Sequence, residues 1–542
     1  MSNIVNTICD PVVVESGSIS GINRPNGTRA FLGVPFAAPP VGDLRWCPPE
    51  RPHPWTGIRR CHKFGPSCPQ VPAPSNSLFF GGETNFSEDC LYLNIYTGPD
   101  AENGNTKATT TGRSVLVWLH YGAFVMGSGS SPMHEGGILA GDGITVVTVN
   151  YRLGRLGFLA HPQLTKESGS KAASGNYALM DQIAALEWVQ RNIKAFGGDP
   201  NNVTVGGVSA GGASTHMLRS SPLAKGLFHK IICESGPGVA RAIDGPGHIS
   251  VCSTLAAAEK AGEELMGILG VESITEMRKL PAEKILPAPL SHMKGPWRSN
   301  LRPGSTSLSI YDTRNPIVDG YVLPESPCEA LISRRAIDVP MITGHVAQDG
   351  TALPQLFTVV EYESFLKETF GEDGAAEALR LFPAKTDAEV PDATRRLLAE
   401  QIFVWPTWTA ARLQARYLDA PVWYYRFNRA PPIPSTADIA EKDYARAFHL
   451  AGVMYAFGNL DSWDWDWTDA DRELSKQIRE SWVQFMLTGR PSNSWPGLEL
   501  EKGLELIRIW DCNAKEKNET LGTLAADVTE FWDRYYGLEG MV

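Results

Sequence analysis

The chain has 542 residues, of which 43% are hydrophobic and 20% are charged. This composition is ordinary for a folded globular protein and excludes a disordered, collagen-like or coiled-coil chain. The net charge of -11 argues against nucleic acid as a partner, because phosphate binding needs clustered Lys and Arg. No run of about 18 apolar residues predicts a membrane span. Residues 1–15 lack the basic and apolar segments of a secretory signal, which favours a cytoplasmic over a secreted protein.

Apolar, β-branched segments alternate with helical patterns along the chain. Apolar residues recur at helical spacing from Tyr177 to Phe196, which predicts a helix that stops at Gly197. Strands alternating with helices predict an α/β fold, with a large, mostly parallel central sheet and helices on both faces. No repeat or linker divides the chain, so residues 1–542 are predicted to form one domain. The predicted buried strands span residues 114–120, 144–152, 203–209, 230–234, 339–346 and 422–427.

The most informative segment is Gly207-Val-Ser-Ala-Gly211, which follows a predicted strand and opens a helix. A serine on such a sharp turn needs small residues two positions on either side, because larger ones would collide with neighbouring backbone. The N-terminus of the helix also favours developing negative charge beside the serine. The segment therefore predicts Ser209 as a catalytic nucleophile.

A serine nucleophile requires a histidine base and an orienting carboxylate. With this type of turn the order along the chain is Ser, acid, His. Asp349 follows the strand 339–346 and is the predicted acid, and His449 is the only histidine C-terminal to it. Two other acids remain as alternatives: Asp319, which lies in a turn, and Asp338, which precedes the strand.

Acyl transfer also needs hydrogen-bond donors directed at the developing oxyanion. Gly122 and Ala123 directly follow the first predicted strand, and their small size lets backbone N–H groups approach a substrate. We predict that these amides, with that of Ala210, form the oxyanion hole.

Other patterns predict structure and not chemistry. Near the C-terminus, apolar residues from Leu474 to Phe485 have helical spacing, with Thr468 as N-cap and Gly489 as C-cap. The acidic segment 461–471 lacks the glycine and closing glutamate of a calcium loop, so we interpret it as a solvated turn. No Cys-x-x-Cys or His-Glu-x-x-His motif is present, and no metal or cofactor is predicted.

Together these segments resemble the type-B carboxylesterase and cholinesterase-like family of α/β-hydrolases. The similarity is spread along most of the chain and does not depend on the serine motif alone. The further segments that carry it are Phe31-Leu-Gly-Val-Pro35, Ser87-Glu-Asp-Cys-Leu-Tyr-Leu-Asn94, Val149-Asn-Tyr-Arg-Leu-Gly154, Phe196-Gly-Gly-Asp-Pro200, Glu234-Ser-Gly236 and Trp495-Pro496.

The resemblance implies the α/β-hydrolase fold and assigns the same site residues. It also implies a Cys68–Cys90 disulfide, a buried pair between Arg45 and Glu88, and a position for Ser235 behind the base. The disulfide and the Arg45–Glu88 pair are implied to be structural and not catalytic.

The chain departs from the family pattern at several positions near the predicted site. Asp349 stands where many members have Glu, and Tyr121 replaces a glycine, which we expect to place a ring next to the pocket. Val208 stands where cholinesterases have an acidic residue, which disfavours choline esters. The segment His449-Leu-Ala-Gly452 lacks the more usual His-Gly-x-Glu.

The sequence therefore predicts a serine carboxylesterase that forms an acyl-enzyme on Ser209, with a small-molecule ester as its partner. A lipase, a lactonase or a thioesterase would use the same residues. A non-catalytic binding protein is the remaining alternative, disfavoured because Ser209 and His449 are both present. Neither the physiological ester nor the oligomeric state is predicted.

Overall fold

A computed structural model describes residues 7–98, 112–239, 252–286, 315–500, 506–512, 518–520 and 526–542. Within these ranges, no helix is both long enough and apolar enough to cross a membrane. The strands are β1 (Thr7–Ile8), β2 (Val12–Val14), β3 (Gly17–Ser20), β4 (Ile22–Asn23), β5 (Arg29–Pro35), β6 (Ile58–Arg60), β7 (Tyr92–Thr97), β8 (Arg113–Leu119), β9 (Thr145–Val149), β10 (Gly198–Val208), β11 (Lys230–Glu234), β12 (Ser253–Thr254), β13 (Ile317–Val318), β14 (Met341–Val346), β15 (Val422–Phe427), β16 (Leu506–Trp510) and β17 (Asn518–Thr520).

Helices connect most of the strands that follow β8. They are α1 (Gly137–Gly141), α2 (Gly154–Phe158), α3 (Pro162–Glu167), α4 (Tyr177–Asn192), α5 (Ala210–Ser220), α6 (Leu255–Leu269), α7 (Ile274–Arg278), α8 (Ala282–Ile285), α9 (Pro327–Ile332), α10 (Val359–Leu381), α11 (Val390–Ala399), α12 (Trp405–Tyr417), α13 (Ala451–Phe457), α14 (Asp469–Thr488) and α15 (Ala526–Tyr535). A π-helical turn, Glu400–Val404, joins α11 to α12.

One 12-stranded sheet organises the fold, in the order β1-β4-β5-β7-β9-β8-β10-β11-β14-β15-β16-β17. The strands from β9 to β16 in that order run parallel, and the pairs outside this run are antiparallel. Alternate residues of β8 show how both faces are covered: Val115 and Val117 pack into one core, and Leu116 and Trp118 into the other. The predicted α/β architecture with a mostly parallel sheet is confirmed.

The six predicted strands are all present, although the bounds of four of them differ from the prediction. The strands 230–234 and 422–427 have the predicted bounds. β14 begins at Met341 because Pro340 has no N–H for the ladder. β9 ends at Val149, since the next three side chains leave the sheet to bond elsewhere, as Arg152 does with Asp181. The helix predicted from Tyr177 is α4, and it continues to Phe196 as a 3₁₀ turn.

The C-terminal helix α14 has the predicted caps. The Thr468 hydroxyl accepts from the N–H of Asp471, whose carboxylate in turn bonds the backbone N–H of Thr468. Gly489 ends the helix with φ of 80°. Asp461, Asp464, Asp466 and Asp469 are exposed, as predicted for a solvated turn, but Asp471 is fully buried and accepts from Arg429, so this residue departs from the prediction.

Two features implied by the family resemblance have different outcomes. The Arg45–Glu88 pair is present, with Arg45 Nε 2.7 Å from Glu88 Oε2. The Cys68–Cys90 disulfide is absent, which corrects that expectation: both residues are buried free thiols that lie against each other. The hydrogen bond with the Cys68 thiol, together with burial, raises the pKa of Cys90, which disfavours the thiolate that disulfide exchange requires.

Candidate active site

Ser209 lies on the sharp turn between β10 and α5. Its φ of 57° and ψ of -120° are strained values for a residue with a side chain. Two glycines make this turn possible. A Cβ at Gly207 would overlap the backbone of Gly211, and a Cβ at Gly211 would overlap the carbonyl oxygen of Leu119. The small residues that the sequence motif requires are therefore explained by close backbone contacts.

Two backbone hydrogen bonds hold Ser209 in this conformation. Its N–H donates to the carbonyl of Glu234 at the end of β11 (3.0 Å), and its carbonyl accepts from the N–H of Ala213 in α5 (2.8 Å). Because Ser209 is the N-cap of an 11-residue helix, the positive end of the helix dipole lies beside it. This environment favours negative charge close to the serine side chain.

Asp349 and His449 form a buried hydrogen-bonded pair. Nδ1 of His449 lies 2.8 Å from Oδ1 of Asp349, and the two residues are 3% and 1% exposed. Oδ2 of Asp349 accepts from the hydroxyl of Ser235 (2.9 Å) and from the N–H of Val346 (3.2 Å). Burial raises the pKa of Asp349 above its usual value, and these hydrogen bonds oppose that shift.

The second ring nitrogen of His449, Nε2, is not used in a hydrogen bond to the described part of the chain. The backbone N–H of His449 donates to the hydroxyl of Thr351 (3.0 Å), and its Nδ1 faces Asp349. Nε2 is buried and has no hydrogen-bond partner among the described residues. A histidine held in this way presents Nε2 as a proton acceptor.

The topology brings the serine and the pair to the same edge of the sheet. β10, β11 and β14 are adjacent and parallel, so the residues that follow them emerge on one side. Ser209 bonds the last residue of β11, and Ser235, the next residue, bonds Asp349. A hydrogen-bonded connection therefore runs from the serine turn through the end of β11 to Asp349 and His449.

The two alternative acids lie elsewhere and bond backbone amides. Asp319 accepts from the N–H groups of Tyr321 and Leu323, which closes a turn. Asp338 accepts from the N–H groups of Asp419 and Ala420. Of the three candidates, Asp349 is the carboxylate that contacts His449.

The predicted oxyanion loop follows β8 and has an unusual backbone. Gly122, Ala123 and Phe124 have φ values of 119°, 52° and 61°. A Cβ at Gly122 would overlap the carbonyl oxygen of Met126, so this position needs glycine. The amides of Gly122, Ala123 and Ala210 donate to no acceptor among the described residues, and so remain able to bind a substrate oxygen.

The Tyr121 ring is buried and not exposed in a pocket. It is 2% exposed and packs against His134, with ring centroids 6.3 Å apart, in the core that also contains Trp118. The expected ring next to the pocket is therefore a ring in the core.

The site contains residues that sequence reasoning missed. Phe403 of the π-helical turn packs on the His449 ring, with centroids 4.2 Å apart. Tyr425 of β15 donates its hydroxyl hydrogen to Oε1 of Glu234 (2.8 Å). Both contacts join segments far apart in the chain, and no local motif marks them.

Comparison with known proteins identifies the family. The model of the carboxylesterase family matches residues 9–523. The chain belongs to the carboxylesterase family. It is 36% identical over 504 residues to fumonisin B1 esterase of Sphingopyxis macrogoltabida, covering 90% of this chain and 85% of that protein. It is 33% identical over 510 residues to para-nitrobenzyl esterase of Bacillus subtilis (strain 168), covering 92% and 94%.

Solved structures of carboxylesterases have the same fold. A thermophilic PNB esterase superposes with a TM-score of 0.77 at 30% identity, covering 96% of this chain and 99% of that one. Another PNB esterase has a TM-score of 0.75 with the same coverage and identity. The predicted α/β-hydrolase fold is therefore confirmed, and the protein is a carboxylic ester hydrolase.

Proposed function

We propose that the protein is a serine carboxylesterase with Ser209 as nucleophile, His449 as general base and acid, and Asp349 as the orienting carboxylate. The observation that carries the proposal is the open Nε2 of His449, whose ring Asp349 fixes from the other side at the sheet edge where Ser209 is held. This arrangement supplies each group that acyl transfer from an ester needs.

In the proposed acylation step, Nε2 of His449 accepts the hydroxyl proton of Ser209 while Oγ attacks the ester carbonyl carbon. The carbonyl oxygen becomes an oxyanion, and the amides of Gly122, Ala123 and Ala210 donate hydrogen bonds to it. The carbon–oxygen bond to the alcohol then breaks, and the His449 proton passes to the leaving oxygen. The alcohol departs, and the acyl group remains on the serine.

In the deacylation step the same groups act on water. His449 accepts a proton from water, whose oxygen attacks the acyl carbon, and the proton then returns to Oγ of Ser209 as the carboxylic acid leaves. Asp349 keeps the proton of the neutral imidazole on Nδ1 and stabilises the imidazolium formed in each step.

The names of the relatives support a small-molecule ester as substrate. Two relatives are named for fumonisin B1 and a para-nitrobenzyl ester. A further relative, 31% identical over 547 residues, is named as a medium-chain fatty acyl-CoA hydrolase from Anas platyrhynchos, which makes a thioester the second candidate. Parallel assays with soluble p-nitrophenyl esters and with medium-chain acyl-CoA separate the two substrate classes.

Replacing the nucleophile tests the proposal. We expect Ser209→Ala to lower kcat on a soluble p-nitrophenyl ester by about six orders of magnitude, because no other hydroxyl is held at that turn. Ser220→Ala is the matched control: this serine is buried in the same helix, where its hydroxyl donates to the carbonyl of His216 (2.8 Å), and the variant should retain most of the activity. Near-normal esterase activity in a folded Ser209→Ala protein would contradict the proposal.

A further inference from the structure

A second buried carboxyl lies between the serine turn and Asp349. The carbonyl of Glu234 accepts from the N–H of Ser209 (3.0 Å), and the next residue, Ser235, donates to Asp349 (2.9 Å). Glu234 is 5% exposed. The proposed mechanism assigns no role to this carboxyl, although the backbone of Glu234 connects the two halves of the site.

Three elements enclose the Glu234 side chain. From β15, the hydroxyl of Tyr425 donates to Oε1 (2.8 Å). From the first turn of α13, Gly452 faces the same oxygen, and a Cβ there would lie 3.2 Å from it. Asp349, which follows β14, is the other titratable group whose charge acts on it, whereas Cys233, the preceding residue of the strand, lies in the core on the opposite face of the sheet. Oε2 has no hydrogen-bond partner among the described residues.

These surroundings disfavour a permanent negative charge. An ionised carboxylate can accept about four hydrogen bonds, and here one donor, Tyr425, is in place. The negative charge of Asp349 further opposes a second anion. Burial and Asp349 together raise the pKa of Glu234 to about 7, against the opposing effect of the Tyr425 bond. The carboxyl therefore changes charge within the neutral pH range.

We propose that Glu234 is a positioning residue that sets the pH dependence of the site by adding or withholding a second negative charge beside the Asp349–His449 pair. The inference rests on the proposed function of Ser209 and His449. As the pH rises, Glu234 loses its proton, and the new anion adds to the negative charge of Asp349, the carboxylate that holds the His449 ring. Activity that depends on this pair then changes over a broader pH range than it would with a single titrating group.

The pH profile of kcat/KM on a soluble ester tests this role. We expect the wild-type profile to rise more gradually than a one-proton curve, because the two deprotonations oppose each other. Glu234→Gln mimics the protonated carboxyl, so its profile should be steeper than that of the wild type, with a midpoint about 0.5 pH unit or more lower. Tyr425→Phe removes the donor that stabilises the ionised form and should shift the profile in the same direction.

A second glutamate provides the matched comparison. Burial and Asp349 also raise the pKa of Glu400 to about 7, while the charge of Arg426 opposes the shift. An unchanged shape and midpoint in folded, active Glu234→Gln would overturn the inference. The inference would also be overturned if Glu400→Gln made the pH profile steeper while Glu234→Gln kept the wild-type profile.

Infrared difference spectroscopy separates this inference from the proposed function, because it needs no turnover. The wild type should show protonated-carboxyl absorption that titrates near neutral pH, and Glu234→Gln should remove the part of it that belongs to one carboxyl. If Glu234→Gln removes this absorption but the protein hydrolyses no ester, the proposed function fails and the assignment of a titrating Glu234 stands. If esters are hydrolysed but the absorption is unaffected by Glu234→Gln, the inference about Glu234 is wrong.

Discussion

Two buried aspartates, Asp181 and Asp349, each accept three hydrogen bonds, but their partners differ. Asp181 accepts three hydrogen bonds from Arg152: from its N–H, its Nε and its Nη2, at 2.7 to 3.0 Å. Arg152 also donates through Nη1 to the carbonyl of Cys47 (2.8 Å), so this network is closed. Asp349 holds one end of His449 and leaves the other nitrogen without a described partner.

Buried polar networks differ in whether they leave a donor or acceptor unused. A closed network such as Arg152–Asp181 stabilises the packing of β9 and α4, and it has no atom left for a substrate. An open network has an oriented group with an unused donor or acceptor, which costs stability and persists at sites that bind or react. The substitutions below test whether the two pairs differ in this way.

The largest expected effect is at the open pair. Asp349→Asn should lower kcat by about four orders of magnitude with little change in stability, because the amide no longer selects the reactive tautomer of His449. Asp319→Asn is the control, since that aspartate is also buried but bonds the backbone of a turn. Steady-state kinetics on a soluble ester measure both, and a larger loss in the Asp319 variant would reverse the assignment of the acid.

At the closed pair the expected loss is in stability. Arg152→Ala leaves Asp181 buried without its partner and should lower the free energy of unfolding by about 3–5 kcal/mol. Denaturant unfolding measures this loss, and titration of active sites gives kcat per folded molecule, which should change little. A variant that loses kcat but keeps its stability would show that the closed pair also takes part in the reaction.

The smallest of these effects concerns the oxyanion loop. Gly122→Ala should lower kcat by about two to three orders of magnitude, because the methyl group meets the Met126 carbonyl and displaces the loop amides. Gly143→Ala is the matched control: Gly143 also has a positive φ, of 95°, but no atom lies within 4 Å of its Cβ position. If both variants keep full activity, the loop amides do not hold the oxyanion.

Much of the fold follows from local sequence patterns. The strands 230–234 and 422–427 have the predicted bounds, because burial on both faces leaves runs in which most residues are apolar. The residue at which β14 begins and the residue at which β9 ends were less predictable. They depend on the missing amide hydrogen of Pro340 and on side-chain bonds such as that of Arg152, which form only once distant segments meet.

The candidate site was predictable to the extent that chain order and turn chemistry define it. Gly207 and Gly211 mark the serine turn, and the order of Ser209, Asp349 and His449 follows from that turn. The contacts of Phe403 with His449 and of Tyr425 with Glu234 had no such signal. Glu234 and Tyr425 are 191 residues apart, and they meet because β11, β14 and β15 are neighbours in the sheet.

The most direct test of the account is covalent labelling of the nucleophile. We expect an organophosphate to add one label per chain and peptide mass spectrometry to place it on Ser209, with the rate of labelling greatly reduced in His449→Ala. Loss of esterase activity should parallel labelling. Complete labelling at another residue in the active protein, or full inhibition with Ser209 unmodified, would contradict the claim that this serine is activated by His449 and Asp349.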